Sequence, residues 1–193
     1  MPRQPTLVLV TGAPGSGKTT LSKTLAETLR LPWLSRDRFR TGLFFALGGW
    51  SDEPEAVPSR EESIEVFFEA VETLLARRVS VVADYVLLRE GFPRCSRIPD
   101  LAECVIVETS TPVATERYLN RLRDDPFLNR AAVLRALGHS SIEDALAERA
   151  AGASTFGPHL FDVGKSDLRT LTVDTTDGYV PGLDDIFAFV LER

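Results

Sequence analysis

Residues 12–19 read GAPGSGKT, Gly12 to Thr19, between the run TLVLVT at Thr6–Thr11 and KTTLSKTLAETLR at Lys18–Arg30. The octet fits the pattern G-x-x-x-x-G-K-[ST]. A β-branched run before it and a leucine-striped helical segment after it supply the strand–loop–helix setting that such a loop needs. A chance match in a chain of this size is on the order of one in a hundred at ordinary glycine frequency. The spacing has a chemical reason. Gly12, Gly15 and Gly17 let backbone N–H groups turn inward where side chains would obstruct. Together with Ala13, Pro14 and Ser16 they form a cradle for a polyphosphate, reinforced by the positive end of the following helix. Lys18 is expected to reach the β- and γ-phosphates, Thr19 to ligate Mg²⁺ and Thr20 to contact the α-phosphate.

Outward from this loop, strand and helix signals alternate. Strands are expected at Thr6–Thr11, Pro32–Ser35, Val79–Ala83 (ending at Asp84), Cys104–Val107 and Leu168–Val173. Between them lie helical patterns: Lys18–Arg30, a segment with Phe39, Leu43, Phe44 and Leu47 stopped by Gly48-Gly49, and the apolar stripe Ile64, Phe67, Phe68, Val71, Leu74 and Leu75 that starts after Arg60. A final helix covers Asp184–Leu191. The alternation predicts an α/β fold, with a parallel sheet between helical layers. The 193 residues suit one domain, 1–193, and the charged, helix-rich stretch 122–157 is expected to form a helical lid within it.

Composition narrows the partners. Net charge is −6, which disfavours long nucleic acid and anionic membrane. A small-molecule or nucleoside acceptor suits that charge better, and a short nucleic-acid end remains compatible with it. Cys95 and Cys104 give neither a disulfide framework nor a metal cluster. His139 and His159 lack partners at metal spacing, and Trp33, Trp50 and Phe161 read as packing residues before stacking platforms. No apolar run reaches the ~18 residues of a membrane span. The short apolar start is broken by glycine and proline, so a cytoplasmic location is expected.

The bound triphosphate still needs a task. The Asp-x-x-Gly and Asn-Lys-x-Asp of switch GTPases are missing, which favours ATP over GTP. A hydrolysing motor usually ends the strand beside its loop with Asp-Glu, whereas Tyr85 follows Asp84 here. Transfer to an acceptor other than water is the expectation. In LSRDRFR, residues 34–40, Asp37 stands among Arg36, Arg38 and Arg40 at the start of a helix, at the carboxyl edge of the sheet. Asp37 has two compatible readings. One is a helix N-cap bonding the N–H of Phe39 or Arg40. The other is the general base that takes a proton from an attacking alcohol. Arg40, one turn on, is placed to clamp an acceptor anion or orient Asp37; Arg36 and Arg38 are expected to be solvated.

The P-loop, SRDRFR, the strand ending in Asp84 and the spaced arginines of ERYLNR together resemble the P-loop kinases related to polynucleotide kinase. Zeta toxins, chloramphenicol phosphotransferase and small kinases described as AAA-type ATPases are more distant parts of that group. The resemblance runs over most of the chain and implies a three-layer P-loop nucleotide kinase fold, five parallel strands in the order 2-3-1-4-5, with a helical lid. It implies that Asp37 is the catalytic base, that Arg40 contacts the acceptor and that Asp84 supports the acceptor site. Arg121 is then the lid arginine on the donor phosphates, with Arg117 one turn before it, and Thr175 lies in the loop that borders the adenine. Lys18, Arg121 and Mg²⁺ carry the charge that develops on the phosphoryl group. Tyr85 departs from the small hydroxyl residue usual in polynucleotide kinases. Gly91-Phe92-Pro93-Arg94 echoes an adenylate kinase stretch at the wrong distance from the strand, so nothing is transferred from it. The activity expected is ATP·Mg²⁺-dependent phosphorylation of a hydroxyl. The alternative is a P-loop ATPase or nucleotide-binding switch acting on a protein partner.

Overall fold

The first strand ends where the glycine-rich loop begins, and the other strands are built around it. The structure, a computed structural model, describes residues 4–47, 58–87, 92–95, 98, 102–125, 134, 139–150 and 167–192. In chain order these form β1 (Thr6–Gly12), α1 (Lys18–Leu29), β2 (Trp33–Ser35), α2 (Arg36–Ala46), α3 (Arg60–Ala76), β3 (Val81–Asp84), the short α4 (Phe92–Cys95), β4 (Glu103–Ser110), α5 (Ala114–Asp124), α6 (Ile142–Ala150), β5 (Arg169–Asp174) and α7 (Leu183–Leu191). The sheet has five parallel strands in the order β2-β3-β1-β4-β5, the expected order.

β1 is central and buried on both faces, so alternate residues feed two different cores. Leu7 and Leu9 join Val81, Ala83 and Ile106 under the α3 stripe Ile64, Phe67, Phe68, Val71 and Leu75. Val8 and Val10 join Val82, Val107 and Val173 under Leu21 and Leu25 of α1 and Ile186 and Val190 of α7. This is the helix–sheet–helix layering predicted from the alternating pattern. Phe67 organises the first core, stacked on Tyr85 at 5.7 Å and edge-on to Phe39 at 5.8 Å and Phe68 at 5.2 Å. Tyr85, the departure noted above, is thus a core residue, 2% exposed.

Helix boundaries follow local chemistry. α3 starts with a full capping box: Ser59 Oγ accepts from the Glu62 N–H at 3.0 Å and Glu62 Oε2 from the Ser59 N–H at 3.2 Å. α1 ends one residue before the predicted limit because Arg30 is left-handed, φ 55°, and closes the helix through its N–H. α2 begins at Arg36, so Ser35, two residues before Asp37, occupies the cap position. The capping reading of Asp37 is therefore replaced by a place in the first turn.

Of the expected lid, 122–157, the described parts are the end of α5, Leu134 and residues 139–150 with α6. Ala145 and Ile142 of α6 pack on Tyr118 and Leu122 of α5. His159, Trp50, Phe161, Gly91 and the Gly48-Gly49 stop lie outside the described residues. Among the described residues no helix is long and apolar enough to cross a membrane.

Candidate active site

Register brings the chemistry-bearing residues to one edge. Ser35 pairs with Asp84, Val10 with Asp84, Gly12 with Thr109 and Ser110 with Asp174. All lie at the carboxyl ends of parallel strands, where helix N-termini also point.

The loop geometry requires its glycines. Gly12, Gly15 and Gly17 have φ of 140°, 86° and 85°, values that side chains rarely adopt. Close approach adds a second reason at two of them. A Cβ on Gly12 would meet Ser16 Oγ at 2.6 Å and collide with Thr109. One on Gly15 would run into the Ala114 carbonyl at the start of α5 and sit 3.0 Å from the Tyr118 nitrogen. Gly17 is the N-cap of α1 and gives it no side-chain cap, so the first N–H groups of that helix face the loop without an intrahelical partner. This is a donor set suited to phosphate oxygens. Hydroxyls brace it from behind: Ser16 Oγ meets Thr109 Oγ1 at 2.6 Å, Thr109 donates to the Thr11 carbonyl at 2.9 Å, and Thr175 donates to the Ser16 carbonyl at 2.7 Å.

Lys18 is 6% exposed. Burial pulls its ammonium below the ordinary lysine range, the carboxylates of Asp37 and Asp84 push it back up, and the Arg121 guanidinium lowers it further. Three of the expected site residues, Asp37, Asp84 and Arg121, therefore act on a fourth, Lys18, across this edge. Asp84 is 2% exposed, and burial raises its carboxyl above the usual range. Ser35 donates to its Oδ1 at 2.8 Å and Ser22 to its Oδ2 at 3.2 Å. Ser22 Oγ also lies 3.1 Å from the Thr19 carbonyl and accepts from Trp33 Nε1 at 2.9 Å. Asp84 is thus linked to the Thr19 end of α1, and Trp33 acts as a hydrogen-bond donor instead of as packing alone.

Asp37 is 67% exposed at its side chain, with Arg36 Nη1 at 3.3 Å from Oδ1. It is not walled in. Arg40 is half-buried, and burial and the neighbouring Arg36 lower its guanidinium, against the pull of Asp37. Arg36 is not solvated as expected: its side chain is only 14% exposed. Arg121 lies over the Tyr118 ring at 5.5 Å. Arg117 turns the other way. It donates to the Thr175 carbonyl at 2.9 Å and the Thr176 carbonyl at 2.7 Å, which ties α5 to the loop after β5. The Thr175 hydroxyl is committed to the P-loop brace and the Ser110 carbonyl.

Sequence reading did not find Ser22, Ser35, Thr109, Trp33 or Arg36 as parts of this region. Only Ser22 carried a usable signal, three residues after Thr19 on the same helix face.

The residues fit a nucleoside triphosphate with Mg²⁺ on three counts: a cradle that Cβ atoms would fill, a buried lysine, and a carboxylate, Asp84, linked through Ser22 to the backbone of Thr19 at the start of α1. A family model described as an AAA domain matches residues 7–140. Comparison with curated proteins finds no match. Among solved structures, a Chloroflexus aurantiacus protein provisionally described as a kinase is 28% identical, over 91% of this chain and 87% of that one, with a TM-score of 0.63. A gluconokinase from Sinorhizobium meliloti is 20% identical, over 98% and 93%, at 0.56. The Mycobacterium tuberculosis APS kinase CysC, solved with AMPPNP and APS, is 18% identical, over 89% and 90%, at 0.54. The last two share the fold.

Proposed function

This chain belongs to the AAA domain family, and from that premise we propose that it is an ATP-dependent kinase that moves the γ-phosphoryl group to a hydroxyl of a small molecule or a nucleoside or oligonucleotide end. One observation carries the reading. Asp37 is an exposed carboxylate in the first turn of α2, at the sheet edge that carries the phosphate loop, and its charge acts on Lys18, which supports a base open to both phosphate and acceptor.

The roles follow. Backbone N–H groups of Gly15, Gly17 and the start of α1 hold the phosphates, and Lys18 and Arg121 carry the charge that spreads over the transferred group. Mg²⁺, when bound, neutralises phosphate oxygens and aligns them; the Thr19 hydroxyl and Asp84 would hold it. Asp37 accepts the proton of the attacking hydroxyl. Arg40 positions the acceptor. Arg117 and Thr175 shape the donor pocket by fixing the loop after β5 and the P-loop to each other. Asp84 is shared between the acceptor side, through Ser35, and the metal side, through Ser22. Within the expected lid, 122–157, the described helix α6 is read as part of the cover that excludes water.

The test is Asp37→Asn. Transfer from labelled ATP should fall by about 10²–10⁴-fold, with ATP affinity by calorimetry nearly unchanged. Lys18→Ala should lose ATP binding itself. Wild-type transfer by Asp37→Asn would overturn the base assignment. Acceptor-free ATP turnover that survives Asp37→Asn would point instead to an ATPase or switch acting on a protein partner.

A further inference from the structure

His139 stands just before α6, and the chain around it shows no ligand pair at a familiar metal spacing. Folding supplies two partners. Asp144 and Glu148 are four residues apart on one face of α6, and the turn into that helix brings His139 against them. One ligand atom from each of the three lies within 4.8 Å of the other two.

The histidine is the informative member. Its side chain is only 4% exposed, and its Nδ1 lies 3.2 Å from Glu148 Oε2. Yet Nδ1 is shut off from solvent and makes no hydrogen bond among the described residues. At so short a distance a bond fails only where the oxygen stands well off the in-plane axis of the ring nitrogen. Two ligands of one cation stand in that relation, each aimed at the ion and not at the other. Metal bonds near 2.1 Å put neighbouring ligand atoms about 3.0–3.4 Å apart. Asp144 is also prepared. Ser140 donates to its Oδ2 through both its N–H and its hydroxyl, each at 2.9 Å, and Oδ1 takes no hydrogen bond among the described residues. Bonds of this kind orient a ligating carboxylate. A buried ring nitrogen left without a partner costs free energy, and a cation removes that cost.

We propose that His139, Asp144 and Glu148 form a binding site for a divalent transition cation, with Zn²⁺ the best fit. Imidazole beside carboxylates suits Zn²⁺ and its neighbours, whereas Mg²⁺ takes oxygen donors. Water fills the remaining position. The site shares no residue with the phosphate loop and does not depend on the kinase reading. Its consequence is mechanical. Ala145 and Ile142 of α6 pack on Tyr118 and Leu122 of α5, the helix that carries Arg117 and Arg121. A bound ion ties the residue before α6 to two successive turns of that helix, and so fixes the support on which α5 rests.

The test uses the 193-residue chain without nucleotide, titrated calorimetrically with Zn²⁺. Wild type should bind one ion. His139→Gln, Asp144→Asn and Glu148→Gln should each weaken binding by about tenfold or more, because even the partners that support a ligand are worth that much. Zn²⁺ should raise the melting temperature of wild type and leave that of Glu148→Gln unchanged, and Mg²⁺ at the same concentration should give no such rise. X-ray absorption at the zinc edge should show nitrogen and oxygen neighbours, an imidazole among them, and no sulfur.

Glu148 is exposed, so its glutamine variant decides the matter if the buried His139→Gln fails to fold. Zn²⁺ affinity in Glu148→Gln equal to wild type would overturn the site. A sulfur neighbour would do so too, by assigning the ion to Cys95 or Cys104. Equal stabilisation by Mg²⁺ would refute the imidazole ligand. Wild type that takes up no Zn²⁺ would leave the three side chains as an ion pair and a helix cap alone.

Discussion

Asp84 shows what single residues contribute here. Its carboxylate is buried beside β1, held by two serine hydroxyls, and its proton affinity is raised by desolvation. A group raised on folding stabilises the protein fully below its unfolded pKa, and that contribution is lost as pH rises through the folded value. The apo protein should therefore lose stability as pH climbs out of the ordinary carboxylate range. Asp84→Asn, isosteric and uncharged, should flatten that part of the profile and leave the melting temperature at pH 7 unchanged or higher, while weakening Mg²⁺-dependent nucleotide binding. A steeper loss in the variant would show that the charge is compensated more fully than its burial implies. At this scale the sequence named the residue from a strand ending in an acid. Ser35 and Ser22 as its donors follow only from the parallel register of β2 and β3 and from the pitch of α1.

Elements set the limits of substitution. Gly15 is required twice, by its φ of 86° and by the Ala114 carbonyl of α5 pressed against it. Gly15→Ala should cost more than about 2 kcal/mol, from the left-handed backbone and the overpacked contact together. It should also weaken ATP binding with Lys18 intact, as read by denaturant midpoint and calorimetry. Ser59→Ala tests a feature remote from the chemistry. Loss of the cap on α3 should cost about 1 kcal/mol and leave the KM for ATP unchanged. Most elements were legible because both periodicities are strong and the loop marks where β1 ends and α1 starts. The cap of α2 was misplaced by two residues because Asp is a good cap by propensity, whereas the Ser35 backbone is already extended and its hydroxyl is committed to Asp84. Trp33 looked like packing because nothing in its neighbourhood along the chain announces a hydroxyl eleven residues earlier.

The whole molecule couples nucleotide binding to stability. A ligand that binds only the folded chain adds about 2.7 kcal/mol at a hundred times its dissociation constant. For a domain of this size that is roughly 5–10 °C in melting temperature. ATP with Mg²⁺ should produce such a shift in wild type; a chelator should reduce it, and Lys18→Ala should remove it. An unchanged melting curve in wild type at saturating ATP and Mg²⁺ would contradict the phosphate cradle. The sequence alone determined the alternation of strands and helices, the phosphate loop and the acid that follows β2, because those depend on local periodicity, backbone freedom and short spacings. Only the tertiary structure decided that Arg117 would brace a loop and that Asp84 would be satisfied by serines from two elements. Such contacts join residues tens of positions apart, and their energies exist only once the sheet and the packed helices have brought them within reach.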